Sequence, residues 1–184
     1  MHGSAPFLLV GPFGTGKTRT LIEFLRRLVA HRKPGPLAAR VLVCSPSNSS
    51  VDKYVTALQE LLGPEQMLRI QAPHRSTVLG PMAKYSHQDP MSATGAYALP
   101  EESALLKMVV VVSTTRSAAQ LVNAGVPKGH FTHIVVDEAA QLMEAEALLP
   151  ISLAGPHTAV IMAGDPQQLG PSTFSKVDLS LIHI

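Results

Sequence analysis

The strongest chemical signal in this chain is GPFGTGKT at residues 11–18. It fits G-x-x-x-x-G-K-[ST], follows the apolar run FLLV at 7–10 and leads into a helical pattern. Glycines let a backbone wrap closely around phosphate oxygens. Free amides at the first turn of the following helix, aided by its dipole, then favour an anion. Lys17 would reach the β- and γ-phosphates of a nucleoside triphosphate, and Thr18 would offer its hydroxyl to Mg²⁺. The plainer alternative is a glycine-rich turn that binds nothing. At background residue frequencies a chance match in a chain this long is roughly 0.6%. The strand-to-helix context lowers it further.

Two acidic or amide-rich segments extend this chemistry. DEAAQ at 137–141 follows HIVV at 133–136. A strand that ends in Asp-Glu sets two carboxylates at the carboxyl edge of a sheet, where open α/β folds bind ligands. Asp137 would organise the Mg²⁺ shell, and Glu138 would polarise a water for in-line attack on the γ-phosphate. Alone, the pair could equally be a polar helix start. The upstream P-loop tips the balance. GDPQQLGP at 164–171 follows the apolar run AVIMA at 159–163. Here Gln168 is the candidate γ-phosphate sensor, and Asp165 is expected to tie the loop to the Asp-Glu end. SPSNSSVD at 45–52 and STTRS at 113–117 also follow apolar runs. Their hydroxyls could simply cap helices. They could also contact a phosphodiester backbone, without reading bases.

These residues need a scaffold. Five continuous apolar runs, at 7–10, 41–44, 108–112, 133–136 and 159–163, are expected as strands. Continuous rather than alternating runs point to strands buried on both faces of a parallel sheet. Helical stripes between them, at 18–31, 51–62, 117–124 and 143–149, imply α/β with right-handed crossovers. Residues 33–38 read as a turn. Residues 72–104 are rich in Pro and Gly, too long for an ordinary loop, and are expected as an insertion projecting from the sheet, partly ordered at best.

Composition agrees with a single aliphatic core. The 184 residues are 46% hydrophobic and only 15% charged, with no Trp, three Tyr and five Phe. A net charge of +2 does not by itself mark a nucleic-acid binder. One cysteine, Cys44, excludes an internal disulfide and suggests a reducing compartment, cytoplasmic or nuclear. Cys44 reads as a small buried hydrophobe. No run approaches the length of a membrane span, and no zinc-ligand spacing occurs among the histidines.

The order GPFGTGKT, SPSNSSVD, STTRSA, FTHIVVDEAAQ, GDPQQLGP resembles motifs I, Ia, Ib/Ic, II and III of superfamily 1 helicases. DEAAQ and GDPQQLGP resemble the group that includes the nonsense-mediated-decay RNA helicase. Phe13, in place of the usual Pro, together with GHFTHIVVDEAAQLMEAEALLP, looks most like the helicase-with-zinc-finger branch. The resemblance covers roughly residues 5–175 and implies a RecA-like lobe at 1–175, with the motif III strand between the P-loop strand and the DEAAQ strand. It implies ATP and Mg²⁺ held by Gly11, Gly14, Thr15, Gly16, Lys17 and Thr18. Asp137 and Glu138 would serve metal and hydrolysis, with Gln141 and Gln168 sensing the γ-phosphate. Ser47, Asn48, Thr114 and Thr115 would face single-stranded RNA, or DNA.

The family's second RecA-like lobe, its arginines, its adenine-reading glutamine motif and its zinc fingers do not occur in this sequence. A fragment is therefore expected. The ancestral activity would be ATP-coupled movement on RNA. The competing expectation is an isolated nucleotide-binding module with almost no turnover, since an arginine finger contributes about 10³–10⁵ in rate. A ring-forming ATPase is a third class, disfavoured by DEAAQ and GDPQQLGP. Residues 176–184 are set apart as a tail. Residues 179–184, LSLIHI, resemble translated adapter read-through and are assigned no function.

Overall fold

The computed structural model describes residues 5–32, 35, 38–73, 75, 80–168 and 170. The tail set apart at 176–184 lies outside them. Six strands form one sheet in the order β1-β6-β5-β2-β4-β3. They are β1 (Phe7–Val10), β2 (Val41–Ser45), β3 (Met67–Ile70), β4 (Val110–Thr114), β5 (His133–Val136) and β6 (Ala159–Gly164). Every pairing is parallel. The motif III strand β6 lies between the P-loop strand β1 and the DEAAQ strand β5, as the resemblance implied.

Helices cover both faces. Alternation along each strand explains why the apolar runs are continuous. Val41, Val43, Val110, Val112 and Val135 pack with helices α1 (Lys17–Ala30) and α2 (Asn48–Leu58). Leu42, Cys44, Val111, Ile134 and Val136 face the other way. There they meet residues of α3 (Glu102–Leu105), α4 (Ala119–Asn123) and α5 (Glu144–Ile151).

Four expectations are corrected. β1 is not buried on both faces: it ends the sheet, and Phe7, Leu8 and Val10 are exposed. The strand expected at 108–112 begins two residues later and runs into Ser113 and Thr114. β3 was not anticipated, because Arg69 interrupts its apolar pattern. That arginine is fully buried and ion-paired to Asp52 on α2 at 2.7 Å. The 72–104 segment is the β3–β4 crossover. Its described part is pinned to the domain rather than projecting freely. A 3₁₀ turn at Gly80–Tyr85 buries Tyr85, whose phenol donates to Leu62 O at 3.0 Å. Gln88 and Tyr97 form an antiparallel bridge.

Because all strands run one way, their carboxyl ends share one edge. The segments 11–18, 45–52, 113–117, 137–141 and 164–168, scattered in sequence, all leave the sheet there. That edge is where ligands bind in open α/β sheets.

Candidate functional site

The P-loop turns on two left-handed glycines, Gly14 (φ 79°) and Gly16 (φ 89°). Gly16 is the N-cap of α1 and has no side chain to cap it, so the first amides of the helix remain open to an anion. Gly11 N–H donates to Gly164 O at 3.3 Å and ties the loop to the end of β6. Lys17 Nζ folds back onto Gly11 O (2.5 Å) and Pro12 O (2.8 Å). Thr15 Oγ1 donates to Pro12 O at 2.7 Å.

Across the cleft, Asp137 is buried at the end of β5. Thr18 Oγ1 donates to Asp137 Oδ2 at 2.8 Å, joining residues 119 positions apart. Tyr54 OH donates to the same oxygen at 2.6 Å. Glu138 N–H donates to Asp137 Oδ1 at 2.9 Å. Burial first, then the negative Asp137 beside it, pushes the Tyr54 phenol above its ordinary range, so it stays a proton donor. Glu138 has φ 55° and ψ 34°, the one non-glycine with positive φ among the described residues. Such conformations cluster at functional sites. Its Oε1 accepts Ser50 Oγ at 2.8 Å.

The third wall follows β6. Asp165 accepts Gln167 N–H at 3.0 Å and Gln168 Nε2 at 3.0 Å. The Gln167 amide foremost, with Gln168, Lys17 and the Phe13 amide, holds its carboxyl below the usual range, against the opposing effect of desolvation. The sequence had suggested that Asp165 ties its loop to the Asp-Glu end; the hydrogen bonds of its carboxylate to Gln167 and Gln168 instead brace its own loop.

These walls enclose a cavity of about 300 Å³. It is lined by Gly14, Gly16, Lys17 and Thr18, by Asp137, Glu138 and Gln141, and by Asp165 and Gln168. Lys53 and Arg19 also reach it. The Thr18 hydroxyl and Asp137 carboxylate form a hard oxygen pair that suits Mg²⁺. That ion takes one or two protein oxygens and completes its shell with phosphate and water. Among the described residues no group of three or more His, Cys, Asp or Glu is placed so that it could hold a metal ion.

The nucleic-acid candidates fare unevenly. Ser47 is the N-cap of α2 and accepts Ser50 N–H at 3.1 Å. Asn48 is exposed beside it. Its Oδ1 accepts Arg69 Nη2 at 2.8 Å and Arg75 Nη1 at 3.2 Å. Thr114 is half-buried and bonded to Ser117 Oγ at 2.9 Å. Thr115 is only 1% exposed, so its side chain is closed off from solvent. Sequence reasoning missed Ser50, Lys53 and Tyr54. Tyr54 falls within the helical stripe expected at 51–62 and is buried there. Its hydroxyl was the available clue, since a buried tyrosine needs a hydrogen-bond partner.

A family model described as an AAA domain matches residues 2–96 and 86–176. The chain is 33% identical over 179 residues to the "Probable helicase with zinc finger domain" of Homo sapiens, covering 93% of this chain and 9% of that protein. It is 35% identical to the human "RNA helicase Mov10l1", over 95% of this chain and 14% of the relative. It is 36% identical to the "Putative helicase mov-10-B.1" of Danio rerio, over 91% and 16%. The chain thus spans a small part of these relatives. Among solved structures it resembles the Arterivirus nonstructural protein 10 helicase, with a TM-score of 0.51 and 17% identity, covering 94% of this chain and 31% of that one. At that identity the likeness shows the fold alone.

Proposed function

This chain belongs to the AAA-domain family as a helicase motor domain, and from that premise we propose that it is the ATP-binding first lobe of a superfamily 1 RNA helicase. In the longer protein it would couple ATP hydrolysis to binding or unwinding RNA. The observation that carries this reading is the Thr18–Asp137 hydrogen bond at 2.8 Å. It joins the phosphate-binding loop to the metal-and-water carboxylates, and neither half is useful without the other.

The residues divide the work. The open amides after Gly14 and Gly16 cradle the phosphates, with Thr15 and Gly11 shaping the loop. Lys17 exchanges its two carbonyl partners for phosphate oxygens. Thr18 and Asp137 would hold Mg²⁺, which would supply positive charge to offset that of the phosphates. Glu138 accepts a proton from the attacking water. Gln141 and Gln168 border the γ-phosphate position and register its presence. Ser47, Asn48 and Thr114, on the same sheet edge, offer donors to a phosphodiester backbone. RNA is favoured over DNA by the name of one relative, an RNA helicase.

The test is nucleotide binding and turnover by the chain. A fluorescent ATP analogue with Mg²⁺ should bind, and Lys17→Ala should weaken that binding about tenfold or more. Equal affinity in the variant would remove the P-loop assignment. Turnover stimulated by single-stranded RNA supports the motor reading. Binding with no turnover, with or without RNA, would instead make the chain a nucleotide-binding module.

A further inference from the structure

Helix α2 touches both carboxylates of the site. Ser50 and Tyr54, one turn apart on its inner face, donate to Glu138 Oε1 at 2.8 Å and to Asp137 Oδ2 at 2.6 Å. The same helix is N-capped by Ser47, beside the exposed Asn48 and Ser49. Ser47 Oγ donates to Ser50 Oγ at 2.9 Å and lies 3.2 Å from Ser49 Oγ. A continuous line of hydroxyls therefore runs from the solvent end of α2 to the carboxylate of Glu138.

The proton count along this line is restrictive. Ser50 has one hydroxyl proton, and it goes to Glu138. Ser47 has one, and it goes to Ser50. Ser50 is only 5% exposed, so no abundant water replaces either partner. Hydrogen bonds in such chains strengthen one another. A phosphate oxygen that takes the Ser47 proton therefore removes the donor behind Ser50 and weakens the bond from Ser50 to Glu138. A Glu138 carboxylate released from Ser50 is free to turn into the cavity that the residue lines. The helix itself is held in register. Asp52 pairs with buried Arg69 at 2.7 Å, and Asn48 Oδ1 accepts two guanidinium donors. Since guanidinium groups only donate, the Asn48 amide N–H₂ is turned away from them.

We propose that Ser50 is a positioning residue that restrains Glu138 until a single strand engages Ser47, so that the Ser47–Ser50–Glu138 line reports strand occupancy to the hydrolytic carboxylate. This rests on the reading of the chain as a nucleotide- and strand-binding lobe.

Single-turnover hydrolysis of ATP by the full chain tests it, with and without a single-stranded oligo-U RNA, alongside direct binding of both ligands. Wild type should hydrolyse about fivefold or more faster with RNA. Ser50→Ala should raise the RNA-free rate and reduce the stimulation to less than about twofold. Ser50→Thr, which keeps the hydroxyl, should restore the wild-type pattern, a rescue that loss of packing would not give. Thr56→Ala, on the exposed face of α2, should match wild type. Circular dichroism establishes that each variant is folded. If Ser50→Ala keeps the stimulation ratio, or if both its rates fall together, the inference is overturned. Wild type that binds both ligands but shows no stimulation overturns it too and leaves the nucleotide-site reading standing. Wild type that binds no nucleotide overturns that reading and the inference with it.

Discussion

Asp137 Oδ2 accepts two hydrogen bonds at once, from Thr18 Oγ1 at 2.8 Å and from the Tyr54 phenol at 2.6 Å. A metal arriving at this carboxylate meets an oxygen already oriented by a neutral donor behind it. Such outer partners commonly change metal affinity 10- to 100-fold. Tyr54→Phe should therefore raise the Mg²⁺ concentration needed for nucleotide binding by about tenfold. Titrating Mg²⁺ against a fluorescent ATP analogue measures this, and an unchanged midpoint would show that Tyr54 only fills space. Cys44 behaves in the opposite way. It is fully buried in β2, and burial pushes its thiol up to about 12. The thiolate is the reactive form. Iodoacetamide at about pH 8 should leave the native chain unlabelled and label it fully in denaturing urea. Rapid native labelling would mean that β2 opens far more readily than its central place in the sheet implies.

At the scale of elements, α2 and β3 are joined by a charge pair rather than by apolar contact alone. Arg69 is fully buried and Asp52 partly so. Removing one partner of such a pair strands the other charge, which typically costs about 3–5 kcal/mol. Asp52→Ala should lower the urea midpoint accordingly. Asp52→Leu combined with Arg69→Met should recover much of the loss, because no fully buried charge is left unpaired; Arg75, which also meets Asp52 at 3.4 Å, is partly exposed. A double variant no better than the single one would show that the pair specifies this register. The same pair explains what the sequence hid. MLRI did not read as a buried strand because an arginine in its middle looks solvated, and its partner lies 17 residues upstream. Local patterns did carry the P-loop, the Asp-Glu strand end and the order of motifs, since each is written in contiguous residues. Ser50 and Tyr54 were not legible as site residues. They meet Glu138 and Asp137 across 88 and 83 positions, and only the fold closes those distances.

The whole molecule is a two-faced sheet with its chemistry gathered at the carboxyl edge and titratable imidazoles near the amino edge. His133 opens β5, with the Phe24 ring 6.0 Å away and Thr132 Oγ1 at 2.8 Å. His130 stacks edge-on against Phe131 at 4.9 Å. Burial lowers both imidazoles below their ordinary range, and Arg40 adds to this at His130. The sign for stability follows from linkage. Between the lowered native values and about 6.5, the unfolded chain binds protons that the native chain refuses. Stability is therefore fully present above about pH 6.5 and declines as the pH falls toward the native values. No helix among the described residues is long and apolar enough to cross a membrane. The urea midpoint should fall from about pH 7.5 to about pH 5.5. It should fall less in a His130→Asn, His133→Asn variant, which has no imidazole to protonate at either position. An equally steep decline in that variant would place the acid sensitivity elsewhere in the molecule.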